Sequence, residues 1–236
     1  MDAVALARAY VRARHPDAAV AVLGGSIVAG TGTATSDLDI ALLYDDPAVN
    51  YAETVEFEGT IAEAFVHSRE ALDGWFAKER STQRAVMYDI WANGILLVDD
   101  GSGNAVQEDA RRALAAGPDP LEPGDVDLLR YAVSSGLDDL RDRPDNGAET
   151  YAVTAELFER SSLLLLGVRR AWTGRGKWHI RRLQQLDDPI ARDLVDWAAA
   201  GADPPSLVAI VERVLEAAGG YLQAPHLRGH RPDQTP

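Results

Sequence analysis

The residues best equipped for chemistry lie in one short stretch: Gly24, Gly25 and Ser26, then a loop of small and hydroxylated residues, then Asp37 and Asp39. A turn of glycines and serine at the end of an apolar strand presents bare backbone N–H groups and a hydroxyl. Such a turn can cradle phosphate oxygens. Asp37 and Asp39 are two residues apart, so in a strand they share a face. Two carboxylates at that spacing repel unless a cation lies between them, and a pair of Mg²⁺ ions that also takes substrate phosphate oxygens resolves the repulsion. Ser26 and Ser36 add hydroxyls at both ends of the intervening loop. Either feature alone is weak, since Gly-Gly-Ser is an ordinary turn and Asp-x-Asp is often a solvated edge. Their order and spacing as one unit point to a seat for phosphate and metal.

The elements that must position these residues follow from periodicity and punctuation. A helix is predicted over 3–14 from Val4, Leu6, Ala7, Tyr10 and Val11, broken by His15-Pro16-Asp17. Residues 18–25 form a short apolar strand ending in glycines, and 37–44 a second strand. In the second, Asp37, Asp39, Ala41 and Leu43 share one face, and Leu38, Ile40, Leu42 and Tyr44 the other. Residues 54–68 form a third strand region with Gly59 as a candidate hairpin turn, 69–80 and 81–92 are helical, and Asn93-Gly94 is a stop. A fourth strand at 95–100, a turn at 101–104 and a helix over 105–117 complete this half.

The Pro/Gly-rich segment 117–125 reads as a linker. Beyond it only helical patterning appears, over 124–142, 148–173, 188–200 and 205–218, interrupted at 143–147, 173–177, 201–205 and 219–220, with a loose tail at 224–236. The expected fold is α+β: a small mixed-sheet domain over 1–120, followed by an all-α helical bundle over 121–236.

Composition narrows the function classes. The 236 residues contain no cysteine, which removes disulfides, thiolate metal sites and a cysteine nucleophile. The N-terminal segment lacks the pattern of a signal peptide. No apolar run approaches the roughly 20 residues needed to span a bilayer. A soluble, cytoplasmic protein without a membrane partner is expected. The formal net charge of -14 argues against nonspecific nucleic-acid binding and is compatible with a cationic small substrate. Against that acidic background Arg169, Arg170, Arg175, Lys177, Arg181 and Arg182 cluster, with His179 among them. They read either as charges at helix ends complementing the dipole or as a triphosphate clamp.

Gly24-Gly25-Ser26, followed after ten residues by Asp37-Leu38-Asp39, resembles the signature of the polymerase-β-type nucleotidyltransferase superfamily. The resemblance implies a small mixed sheet with helices, a nucleoside triphosphate bound with Mg²⁺ at Gly25, Ser26 and Ser36, and transfer of the nucleotidyl group to an acceptor hydroxyl. It also implies a third carboxylate on a neighbouring strand. Glu56, Glu58 and Glu63 are the candidates. Glu63 alternates with Ile61, Phe65 and His67 and is favoured, because a carboxylate in such a run needs a partner. Glu58 is the fallback, and Glu56 and Glu58 otherwise decorate the solvent side of a hairpin. His67 could orient Glu63, although an ordinary satisfied histidine is the default.

Residues 156–182 resemble the aminoglycoside adenylyltransferases that modify streptomycin and spectinomycin, through Arg170, Trp172, Thr173-Gly174 and Lys177. That resemblance implies Arg170 and Lys177 as phosphate ligands, and ATP as the nucleotide. Glu156 and Glu159 fall where an amine-bearing acceptor could be held, and they read equally well as a solvated helix face. No counterpart of the family's aromatic acceptor-binding residue stands out; Trp75, Trp91 and Trp178 are candidates, each with a core role as the default. The implied activity is Mg²⁺-dependent transfer of AMP from ATP to a hydroxyl of a small, aminoglycoside-like molecule. The alternative is a nucleotidyltransferase of a toxin–antitoxin type acting on a protein or tRNA. A non-catalytic nucleotide sensor is disfavoured by the intact Asp37 and Asp39.

Overall fold

The structure is a computed structural model that describes residues 2–142 and 147–224. The chain divides into two compact units, Met1–Pro118 and Asp119–Pro236.

The first unit is built on a five-stranded mixed sheet of order β3-β4-β2-β1-β5. Its strands are β1 (Val20–Leu23), β2 (Leu38–Tyr44), β3 (Asn50–Phe57), β4 (Thr60–Ser68) and β5 (Ile95–Asp99). The helices are α1 (Ala3–Arg14), α2 (Gly25–Val28), α3 (Arg69–Thr82), α4 (Met87–Asn93) and α5 (Gly103–Ala116). β2 pairs antiparallel with β1 and parallel with β4, while β3 and β4 form an antiparallel hairpin. The hairpin turns at Glu58 and Gly59, with φ of 49° and 80°. Two successive left-handed residues give the tight turn that matches strand twist.

One face of the sheet buries Leu23, Leu38, Ile40, Leu42, Ala62, Ala64 and Val66 with Leu6, Tyr10 and Val11 of α1. Because side chains alternate, Asp39 and Glu63 point to the opposite face. His15, at the end of α1, is buried and lies within 3.0–3.2 Å of the Tyr10 hydroxyl, the Tyr44 hydroxyl and the Glu53 carboxylate, tying the helix to β2 and β3.

The helix expected over 81–92 is shorter than its pattern suggested. Gln83 adopts a left-handed conformation with φ of 58° and ends α3, and helix resumes only at Met87. Left-handed residues terminate helices because their backbone cannot continue the i→i−4 ladder.

The second unit contains α6 (Pro123–Arg141), α7 (Ala148–Val168), α8 (Lys177–Gln185), α9 (Pro189–Ala199) and α10 (Pro204–Ala217). Their shared core includes Val133, Leu137, Leu157, Leu164, Leu183, Leu194, Leu207 and Val211. Asp188 and Asp203 accept the first amides of α9 and α10, and a proline opens each helix.

The helix expected to run to residue 173 stops at Val168. The Ala171 amide reaches back to the Leu166 carbonyl at 2.8 Å while Arg170 turns left-handed at φ 52°. α8 was not expected: its run of basic residues reads as polar, yet Leu183 anchors it in the core. The expected interruption at 143–147 and the tail at 224–236 lie, apart from Gly147 and Ala224, outside the described residues. Among the described residues no helix is long and apolar enough to cross a membrane.

Neighbouring leucines on α7 test this packing. Leu164 is fully buried, whereas Leu163 is half-buried. Leu164→Ala is expected to lower the urea unfolding free energy by about 3 kcal/mol, and Leu163→Ala by clearly less; equal losses would contradict the assigned helix face.

Candidate active site

The site is assembled by strand register. In the parallel pair of β2 and β4, Asp39 stands opposite Glu63, and Thr54 of β3 stands on the other side of Glu63. Asp37 lies just before β2 begins. Each of Asp37, Asp39 and Glu63 offers a carboxylate oxygen, and those oxygens lie within 4.8 Å of one another. All three residues are half-buried. Burial, and then the charge of Asp37, push the Glu63 carboxyl above its ordinary range.

This donor set suits a hard divalent cation. It is all carboxylate, which favours Mg²⁺, Mn²⁺ or Ca²⁺ over softer metals. The shift at Glu63 comes first from burial and then from the charge of Asp37, and a bound cation would offset both. Glu56 lies exposed on β3 opposite Ile61, and Glu58 occupies the hairpin tip. Neither belongs to the carboxylate group.

The glycine turn is pressed against these acids. β1 ends at Leu23, and the Gly24 amide donates to the Asp39 carbonyl at 2.8 Å. Gly25 has φ of 70°, and a Cβ placed there would stand 1.7 Å from Oδ2 of Asp39. Only glycine lets the backbone approach that carboxylate so closely. On the other side a Cβ on Gly24 would meet the Cα of Ile90 at 2.9 Å, so α4 forms the back wall of the turn.

Ser26 is buried, and its Oγ donates to Oγ of Ser36 at 3.2 Å. Ser36 Oγ also accepts the Thr33 amide at 2.8 Å. The two serines that the sequence marks for phosphate thus close the intervening loop on itself, fixing the distance between the turn and the aspartates.

The candidate phosphate ligands Arg170 and Lys177 and the acceptor candidates Glu156 and Glu159 fall in the second unit. Arg170 is exposed in the left-handed residue after α7, and Lys177 is exposed as the first residue of α8. Glu156 pairs with Arg160 one turn further along α7, and Glu159 is exposed. Of the tryptophans, Trp91 is wholly buried, and Trp178 stacks beneath the Arg181 guanidinium at 4.7 Å. Trp75 is partly exposed, donates to Oδ1 of Asn50 and meets buried His67 edge-on. Nothing in the sequence singles out Ile90, nor Glu79, a buried carboxylate on α3 that accepts backbone amides of α4.

Residues 5–100 match the family model of the nucleotidyltransferase domain. The matched segment contains the glycine turn and all three clustered carboxylates. Among solved structures the chain is similar to a nucleotidyltransferase-like protein from Exiguobacterium sibiricum, at 11% identity and a TM-score of 0.44. That similarity covers 91% of this chain and 73% of the other. No curated protein matches the chain.

The carboxylate crowding has a thermodynamic signature. A carboxyl raised above its ordinary value contributes stability that is full below that value and is lost as pH rises through the raised one. In EDTA, wild type should therefore lose stability as pH climbs above the ordinary carboxylate range. Glu63→Gln should be at least as stable at pH 7 and lack that loss. Adding Mg²⁺ to a hundredfold excess over its dissociation constant should stabilise wild type by about 2.7 kcal/mol and Glu63→Gln by far less. Thermal melts across pH with and without Mg²⁺ measure both effects, and equal responses of the two proteins would contradict the cluster's role.

Proposed function

We propose that the chain is a Mg²⁺-dependent nucleotidyltransferase that moves AMP from ATP to a hydroxyl of a small, amine-bearing acceptor of the aminoglycoside type. The observation that carries this reading is the convergence of Asp37, Asp39 and Glu63 beside the Gly24-Gly25-Ser26 turn, inside the segment that matches the nucleotidyltransferase domain.

In this mechanism the backbone at Gly25 and the hydroxyls of Ser26 and Ser36 orient the triphosphate. Asp37, Asp39 and Glu63 would hold the cations. Bound Mg²⁺ would neutralise the triphosphate and stabilise the charge that builds up on displacement at phosphorus. Glu63, opposite Asp39 on β4, takes the proton of the acceptor hydroxyl. The acceptor oxygen forms its bond to the α-phosphorus as the bond from that phosphorus to pyrophosphate breaks. Catalysis is then chiefly positioning and charge compensation.

Arg170 and Lys177 serve in this proposal as further ligands of the triphosphate, and Glu156 and Glu159 as partners for acceptor amines. The net charge of -14 supports a cationic acceptor over a polyanion such as tRNA.

The test is pyrophosphate release with ATP, Mg²⁺ and a panel of aminoglycosides, with mass spectrometry to find the adenylylated acceptor. Asp39→Asn should cut release on the order of a thousandfold while leaving the melting temperature near that of wild type. Release at the wild-type rate by Asp39→Asn would refute the mechanism.

A further inference from the structure

We infer that Glu79 is a positioning residue for the triphosphate seat. The inference rests on reading Gly24–Ser26 as that seat.

Glu79 lies in the last turn of α3 and is 5% exposed. Its Oε1 accepts the amides of Val86 and Met87 at 2.8 and 2.7 Å, and its Oε2 accepts the amide of Tyr88 at 3.0 Å. α4 has no capping side chain of its own; its N-cap residue is Val86. The carboxylate of the preceding helix therefore caps α4, meeting its unsatisfied amides and the positive end of its dipole. A second tie joins the same two helices, as Arg80 donates to the Tyr88 hydroxyl at 2.7 Å.

What α4 does explains why its placement matters. It packs against β1, α2 and β2, the elements that bracket the glycine turn. Ile90 occupies the space beside Gly24 so closely that no Cβ fits there. Gly94, just after α4, is likewise wedged against Val22 and the Leu23 carbonyl. The turn is thus held between Asp39 in front, 1.7 Å from a Cβ on Gly25, and Ile90 behind. A shift of α4 by a few tenths of an ångström must move the turn's amides. The three clustered carboxylates sit on β2, just before it and on β4; α4 also packs against β2, but the spacing of Asp39 and Glu63 is set by the pairing of β2 with β4, a restraint that the glycine turn lacks. Glu79 therefore bears on the phosphate half of the site more than on the carboxylate cluster.

Two binding constants on the full chain separate these roles: Mn²⁺ alone, by titration of free ion with electron paramagnetic resonance, and a non-hydrolysable ATP analogue with Mg²⁺, by calorimetry. Both are measured at a temperature where urea unfolding shows each variant folded. Glu79→Ala should weaken the analogue about tenfold and leave Mn²⁺ within twofold of wild type. Glu79→Gln, which keeps a carbonyl oxygen for the amides, should recover part of the loss. Ile90→Ala, which leaves the Glu79 contacts in place, should reproduce the loss if Glu79→Ala fails to fold.

Unchanged analogue binding by Glu79→Ala despite lower stability would reduce Glu79 to a structural cap and overturn the inference. Equal weakening of Mn²⁺ and analogue would overturn it too. Failure of wild type to bind the analogue would instead refute the seat itself, and the inference with it.

Discussion

Three like charges held within 4.8 Å of one another are the constraint around which the first unit is arranged. Asp39 and Glu63 cannot relax apart, because the parallel register of β2 and β4 sets them side by side. Nor can they turn into the core, because alternation commits Leu38, Ile40, Ala62 and Ala64 to the opposite face. The hydrophobic pairing with α1 thus supplies the free energy that keeps the acids together. In the absence of a cation, burial of Glu63 opposes its ionisation and the charge of Asp37 adds to that cost. An arrangement that costs stability and persists is the kind expected at a functional site.

The glycine turn depends on the same strand. Its amide at Gly24 is fastened to the Asp39 backbone, and Gly25 lies against the Asp39 side chain. The carboxylate cluster and the glycine turn therefore share Asp39 as their common wall. The loop between them is closed by the contact between Ser26 and Ser36, so its small residues are not idle slack. On the far side α4, capped from α3 by Glu79, supplies rigidity from an element outside the opening motif.

Much of this was legible in the sequence wherever the deciding interactions are local. The stretch from Gly24 to Asp39 carries its meaning in its own spacing, and the hairpin at Gly59 follows from a turn residue between alternating runs. The place of Glu63 beside Asp39 is different. It depends on β2 and β4 pairing in parallel, a non-local choice, so Glu56 and Glu58 stayed open until the register was known. Helix ends set by left-handed residues other than glycine were equally hidden. Gln83 and Arg170 carry no signal that either will leave the helical region, and the patterns through 81–92 and 148–173 ran on past them. α8 was masked by its basic residues and its shortness, since the face it buries carries His179 and Arg182 beside Leu183. Glu79 gave no sign because its partners are backbone amides, which no side-chain motif records.

The most direct test of the central claim is anomalous diffraction from crystals grown with Mn²⁺ and a non-hydrolysable ATP analogue. The expected result is an anomalous peak about 2.1 Å from carboxylate oxygens of Asp37, Asp39 and Glu63, with analogue phosphate oxygens on the same ion and the triphosphate along Gly24–Ser26. Analogue bound elsewhere, or Mn²⁺ absent from the three carboxylates, would contradict it.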